Sequence, residues 1–448
     1  MSAPDPVAVV LDAARAAGCE AEVLLSESRG LEVRVQKGEV DHLERAHDRG
    51  LGVRVVEAGR VGYAYTESFE GADLASALEK ARAASAYATP DEAVGLASAP
   101  ELAEGACAPF DEELARAEAT QFVKLALEVE RVAREAETRI MAVPHAACST
   151  HENTVRVAST RGLDRAYRTN GASVYAQALA AEGNERKSGL GYRLARRLDE
   201  LDAEAAGREA AARATELLGA TEPASGRGAV AFHPEAAAQL LGAFSSMFSA
   251  KAAQEGRSLL AGREGEAIAA ACVRVIDDPC RPDGFAARPF DAEGWPSAQL
   301  ALVDAGRFAS FLHNSETARR ALARSTGHAS RSYSGALGVG PTNLLLAPGE
   351  ATREKVLARF ERCIELTDLQ GVHSGANAAS GEFSLQAQGF LVERGARVRP
   401  VHNFTVAGSF LEMLSRVAAV ADDFKFSHFP VGAPTVLVSE LAVAGGGS

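Results

Sequence analysis

A chain of 448 residues is long for one domain and comfortable for two. Hydrophobic residues at 47% and charged residues at 24% give the composition of a globular protein able to bury large cores without staples. Its 47 basic against 60 acidic residues leave a formal net charge of -13, which repels phosphate backbones and argues against nucleic-acid binding.

The opening MSAPDPVAVVLDAARAAG places Asp5, Asp12 and Arg15 in an amphipathic pattern. It reads as a helix over 4–17 and not as a signal peptide. The period then drops to two. VLLSES, LEVRVQKG, VDHLERA, GLGVRVVEAG and RVGYAYTE predict a meander of short antiparallel strands, with Gly30, Gly38, Gly50, Gly59 and Gly62 as punctuation. Residues 70–88 return to helix, with Leu74 and Leu78 one turn apart.

A loop with Pro90, Pro100 and Pro109 follows. Asp111 is placed to cap a long amphipathic helix over 112–137, striped by Phe122, Leu125, Val129, Val132 and Ala136. Strands are expected from 138 to 194, then a helix over 199–217 that stops at Gly219. Arg193, Arg196 and Arg197 read as a solvated face rather than a basic patch.

TEPASGRG, Thr221–Gly228, is the linker candidate. It divides an N-terminal α/β domain, 1–220, from a β-rich C-terminal domain, 221–448. Beyond it lie short mixed elements with many glycine and proline turns. Gly445–Ser448 reads as a disordered tail. The six scattered cysteines form no C-x-x-C pair, and no run of 18 apolar residues occurs. A reduced, cytoplasmic protein with no membrane span is expected.

Few motifs suggest chemistry. Gly371-Val372-His373-Ser374-Gly375 has Val372 where a nucleophile elbow needs glycine. HSGANAASGEFS predicts a tight turn in which Ser374, Asn377 and Ser380 bond their own backbone. His373, Ser374, Asn377, Ser380 and Glu382 are candidates to line a peptide groove or a subunit interface. Asp277-Asp278 and Asp422-Asp423 read as turn or surface acids. Adjacent acids in a strand face opposite ways, which is poor geometry for shared acid–base work. No nucleotide-binding loop is present, since Gly189-Leu190-Gly191 continues to Leu194 instead of a third glycine.

Longer runs carry a resemblance. VRVQKGEVDHLERAHDRGLGVRVVEAGRVGYAYTE resembles the opening meander of the TldD/PmbA metallopeptidase family. FDAEGWPSAQLALVDAGRFASFLHNSETARR from Phe290, STGHASRS from Ser325, GVHSGANAASGEFSLQAQGFLVERGARVRPVHNFTVAGSFLEML from Gly371 and the closing APTVLVSELAVAG resemble its C-terminal blocks. The wording is closest to the PmbA branch, also called TldE. The resemblance implies an α+β fold of two domains: an N-terminal mixed α/β domain with antiparallel strands and a C-terminal domain of large, curved, mostly antiparallel sheets with a few helices. The element pattern agrees in class. It also implies a cytoplasmic heterodimeric zinc peptidase of one TldD and one TldE chain, acting on short or unfolded peptides.

The TldD branch carries H-E-x-x-x-H at a helix start and a distant cysteine near its C-terminus. Two imidazoles a helical turn apart and a thiolate hold Zn²⁺, and the glutamate activates water. The corresponding segment here is AVAFHPEAAAQLLGAFSSMF. Pro234 and Gln239 stand at the histidine positions, and only Glu235 remains. Proline at the first helical position and an acid in the first turn make a helix start, with Ala237, Leu240, Leu241, Phe244 and Phe248 as a core stripe. A register shifted to His233 meets no further histidine before His313, and the last cysteine, Cys363, precedes the long C-terminal block. The expectation is a metal-free, non-catalytic subunit without cofactor, with zinc in a TldD-like partner. The alternatives are a standalone peptide-binding homodimer and a metallopeptidase with an unrecognised site.

Overall fold

The computed structural model describes residues 4–446, apart from 103–106, 108, 109 and 428. The last two residues of the expected flexible tail therefore lie outside the described residues. Asp5 caps helix α1 (Pro6–Ala16) by accepting from the Val7 N–H, and Pro6 fills the first turn, where a missing N–H costs nothing. Val7, Val10, Leu11 and Ala14 are its buried stripe.

Strands β1 (Glu20–Gln36) and β2 (Glu39–Glu57) form one long hairpin, and β3 (Arg60–Thr66) folds back on the distal half of β2. Lys37-Gly38 and Ala58-Gly59 make the two turns, all at positive φ, which matches the strand twist. The strands are far longer than the predicted short meander, because Gly30, Gly50 and Gly62 lie inside them. Two close approaches explain glycine here. A Cβ on Gly50 would sit 2.3 Å from the Tyr333 ring, and one on Gly62 would sit 1.9 Å from the Ala81 carbonyl oxygen of helix α2 (Gly71–Tyr87).

The predicted helix over 112–137 is two helices, α3 (Glu112–Arg116) and α4 (Ala119–Glu135). Asp111 does cap the first, accepting from Leu114 N–H at 2.6 Å. Ala117 and Glu118 then turn extended, and a capping box between Glu118 and Gln121 restarts the helix. Strands β4 (Ile140–Ser159), β5 (Asp164–Glu182) and β6 (Glu185–Ala195) complete a six-stranded antiparallel sheet ordered β3-β2-β1-β4-β5-β6. Helices α4 and α5 (Ala203–Glu216) bury Phe122, Ala126, Val129, Ala206 and Ala210 against this sheet. Gly189 and Gly191 let the alanine face of α5 lie directly on β6, since a Cβ at Gly191 would come within 2.0 Å of the Ala206 carbonyl.

The anticipated arginine face is mostly engaged. Arg193 pairs with Glu209, Arg196 donates to the Gly284 carbonyl, and Arg197 pairs with Asp199 at 2.8 Å.

Strand β7 (Gly226–Phe232) starts within the run Thr221–Gly228, so the end of that run belongs to a sheet. Thr221 bridges Val401, and Ser225 Oγ bonds the Gly445 backbone, which ties that part of the expected tail down. β7 lies parallel to Arg362–Gln370 and antiparallel to Val436–Ala444 in a second six-stranded sheet. A further pairing of Ala396–Ser409 with Val436–Ala444 curls this sheet on itself. A third sheet, of short strands around Val275–Asp277 and Leu344–Leu346, packs beside it. The architecture is α+β, with curved and mostly antiparallel sheets. Among the described residues no helix is long and apolar enough to cross a membrane.

Asp277 corrects the surface reading of the acidic pairs. It is fully buried and accepts from Thr342 N (2.6 Å), Thr342 Oγ1 (2.5 Å) and His328 Nε2 (2.8 Å). Asp423 grips Thr435 through the same two atoms, at 2.8 and 2.7 Å. Both acids satisfy buried donors that would otherwise be costly.

A polar cleft at the start of helix α6

Helix α6 (Pro234–Ala243) begins one residue after β7 ends. Pro234 occupies its first turn, as the helix-start reading requires. Ala237, Leu240, Leu241, Phe244 and Phe248 are all buried. Phe244 ends the helix and stacks on Phe410, with ring centroids 4.4 Å apart. This apolar face fixes the helix, so its first turn is held rigidly against a cavity of about 550 Å³. The opposite wall comes from β6 and α5, and the floor from the strands Arg362–Gln370 and Glu382–Glu393.

The cavity is lined by charges already spoken for. Glu235 is more than a first-turn acid: Arg213 of α5 grips both its oxygens, at 2.6 and 2.5 Å. Arg213 also bonds Glu209 at 2.5 Å, and Glu209 in turn takes Arg193. Burial alone would push the Glu209 carboxyl up, but Arg213 and Arg193 outweigh it and hold it below its usual range. Gln239 accepts from Leu369 N–H at 3.3 Å and also bonds Asp368, whose carboxyl burial pushes up. Lys187 reaches His402 Nδ1 at 2.9 Å and Glu185 at 3.4 Å.

His233 precedes the helix. Its Nδ1 is buried with no hydrogen-bond partner among the described residues, and burial pushes the imidazole down to about 4. The ring is neutral at neutral pH.

Zinc, which the TldD branch implies, does not fit this donor set. Pro234 has no donor atom, and the Gln239 amide is engaged with the backbone and Asp368. Glu235 is neutralised by an arginine that would repel a cation. Among the described residues no group of three His, Cys, Asp or Glu side chains is arranged to hold a metal ion. Cys363 is buried, and burial pushes its thiol up to about 11, far from the thiolate a metal needs. His42 and His47 stand five apart, but on extended β2, where each bonds a different glutamate.

The loop candidates sit elsewhere. Asn377 Oδ1 accepts from Ala379 and Ser380 N–H, Ser380 Oγ accepts from Glu382 N–H, and Ser374 Oγ donates to the Gly371 carbonyl. His373, Ser374, Asn377, Ser380 and Glu382 are exposed, and none lines the central cavity. Glu382 borders a separate hollow of about 350 Å³ with Arg227, Arg416 and Glu440. The structure therefore brings Glu235 and Gln239 together with Arg213, Asp368, Lys187 and His402, which sequence reasoning missed. No local pattern marks these four. Arg213 lies in an Ala/Glu/Arg helix that reads as solvated, and its partner is 22 residues away on another element.

Residues 225–445 match the PmbA/TldA metallopeptidase C-terminal domain, 21–85 its domain 1 and 112–218 its central domain. The chain is 25% identical to the "Metalloprotease PmbA" of Escherichia coli O157:H7 over 98% of its own length and 96% of that protein's. A crystal structure of a putative modulator of a DNA gyrase from Thermotoga maritima superposes with a TM-score of 0.89 at 29% identity, covering 97% of this chain and 98% of that one. TldE from Thermococcus kodakarensis shares the fold, with a TM-score of 0.87 at 23% identity over 95% and 97% of the two chains.

Proposed function

The chain belongs to the PmbA/TldD metallopeptidase family, and on that premise we propose that it is the metal-free partner subunit of a TldD/TldE-type heterodimeric zinc peptidase. A TldD-like chain carries the zinc and the chemistry. This chain docks on it and completes a cytoplasmic enzyme for short or unfolded peptides.

One observation carries the reading. The single acid left in the degenerate motif, Glu235, is locked by Arg213 at 2.6 and 2.5 Å. A general base must be free to accept a proton from water, and here both carboxylate oxygens are already taken by the arginine. The engaged Gln239 and the donor-free Pro234 support the same reading.

The test is co-purification with a TldD-like chain of the same source, followed by metal analysis of each chain and a peptidase assay. Zinc confined to the partner, with activity only in the mixture, is the expected result. Close to one zinc per copy of this chain after dialysis against a chelator would overturn it.

A further inference from the structure

Cys107 lies in the connection between α2 and α3, and Cys280 in the turn that follows the strand Val275–Asp277. The fold brings the two together. Cys107 Sγ stands 3.4 Å from the carbonyl oxygen of Pro279, the residue before Cys280, and its thiol lies within hydrogen-bonding reach of the Cys280 thiol. Cys280 sits on a fixed turn. Its N–H donates to Asp278 Oδ1 at 3.1 Å. Asn343 grips the Asp278 backbone, accepting from its N–H at 3.0 Å and donating to its carbonyl at 2.8 Å.

The two sulfurs differ in what they can do. Cys280 is exposed and Cys107 is half-buried. Burial, with Cys280 beside it, pushes the Cys107 thiol up to about 12, so it stays protonated at neutral pH. An exposed thiol meets an oxidant first, and a neighbouring thiol resolves the product as a disulfide. Of the other four cysteines, Cys19, Cys148 and Cys363 are buried, and the exposed Cys272 donates to the Val417 carbonyl at 3.8 Å.

We propose that Cys107 and Cys280 form a reversible disulfide when the chain meets hydrogen peroxide, tying the connection between α2 and α3 to the C-terminal region. The Cys280 thiolate attacks one peroxide oxygen and the O–O bond breaks. The sulfur is oxidised to the sulfenic acid, and the departing hydroxide takes up the proton that Cys280 released. The Cys107 sulfur then attacks the Cys280 sulfur, the S–OH bond breaks, and this second hydroxide takes the Cys107 proton. Two thiols and one peroxide become one disulfide and two waters. The turn held by the bond continues to Asp283 and Phe285, which line a hollow of about 350 Å³ that shares Tyr192, Glu209 and Glu235 with the central cavity. Oxidation thus anchors the backbone beside the polar cleft.

Peroxide treatment of the full chain, alkylation of the remaining thiols and mass spectrometry of its peptides test this. One equivalent of hydrogen peroxide should remove two of the six free thiols and link the peptide bearing Cys107 to the peptide bearing Cys280. Dithiothreitol should restore all six. Cys107→Ser should leave Cys280 as a sulfenic acid that dimedone traps, and Cys280→Ser should leave Cys107 reduced. In concentrated urea the yield of this link should fall roughly tenfold or more, because only the fold holds the sulfurs together. A native chain whose Cys107 and Cys280 remain open to alkylation, or whose Cys280 passes on to the sulfinic acid without linking, overturns the proposal. So does a Cys280 that joins the other cysteines as readily as Cys107, or a link that forms equally well in urea.

Discussion

Glu293→Gln should remove the part of the stability that falls as pH rises, leaving the variant relatively more stable at high pH than at low. Glu293 is fully buried where the C-terminal region meets the N-terminal sheet. One oxygen lies 3.5 Å from Arg54 of β2, and the other accepts from Ser315 N–H at 2.8 Å. Arg54 also faces buried Glu22 at 3.8 Å, and Arg331 binds Glu22 at 2.8 Å. Burial, opposed by Arg54 and reinforced by the charges of Glu22 and Asp291, pushes Glu293 up to about 7. The folded form thus holds its proton where the unfolded chain, near 4.5, has lost it. A raised acid stabilises at low pH and loses that stabilisation as pH rises through the folded value. Between pH ~5 and ~7.5 the linkage relation gives a loss of about 2 kcal/mol. His233 works in the opposite sense. Its depressed value, about 4, makes stability fall as pH drops below the ordinary histidine range. The two groups partly cancel in the unaltered protein, so the difference between proteins is the readout. Urea unfolding at both pH values should show the pH-dependent part shifting by about 2 kcal/mol in the variant. An identical pH dependence in both proteins would refute the assignment of a raised carboxyl to Glu293.

Two further substitutions probe the packing. Arg54→Met leaves Glu22 and Glu293 buried without their shared cation, and loss of one partner from such a cluster costs about 3–5 kcal/mol, to be read as a fall in melting temperature. A melting temperature unchanged within error would contradict the cluster. Gly62→Ala should destabilise by about 1–3 kcal/mol, because its Cβ would meet the Ala81 carbonyl at 1.9 Å and the Ser85 nitrogen at 2.4 Å. A neutral effect in chemical denaturation would mean that α2 can shift freely.

Local features were legible in the sequence where the cause is itself local. Asp5 and Asp111 cap helices, Pro234 starts one, and Asn377 and Ser380 close their own turn, all through partners within a few residues. The apolar period likewise located Phe244 and Phe248 in the core. The strand lengths were not legible. Gly50 resembles a turn residue until Tyr333, far along the chain, occupies the space it leaves. Asp277 looked like a turn acid because Thr342 and His328 are brought to it only by the third sheet. Glu235 is the same case at the cleft. The degenerate motif showed which ligand residue types are replaced, but the arginine that occupies its last acid comes from helix α5 across the cleft.

The central claim is that this chain completes a peptidase without performing its chemistry. The direct measurement is peptidase activity of the reconstituted pair carrying Glu235→Gln, beside a mixture from which this chain is withheld. Activity should persist within a few-fold in the first and vanish in the second. A fall of several powers of ten with the complex still formed, the loss expected when a general base or metal-activated water is removed at about 4 kcal/mol or more, would make this chain the catalyst and contradict the account.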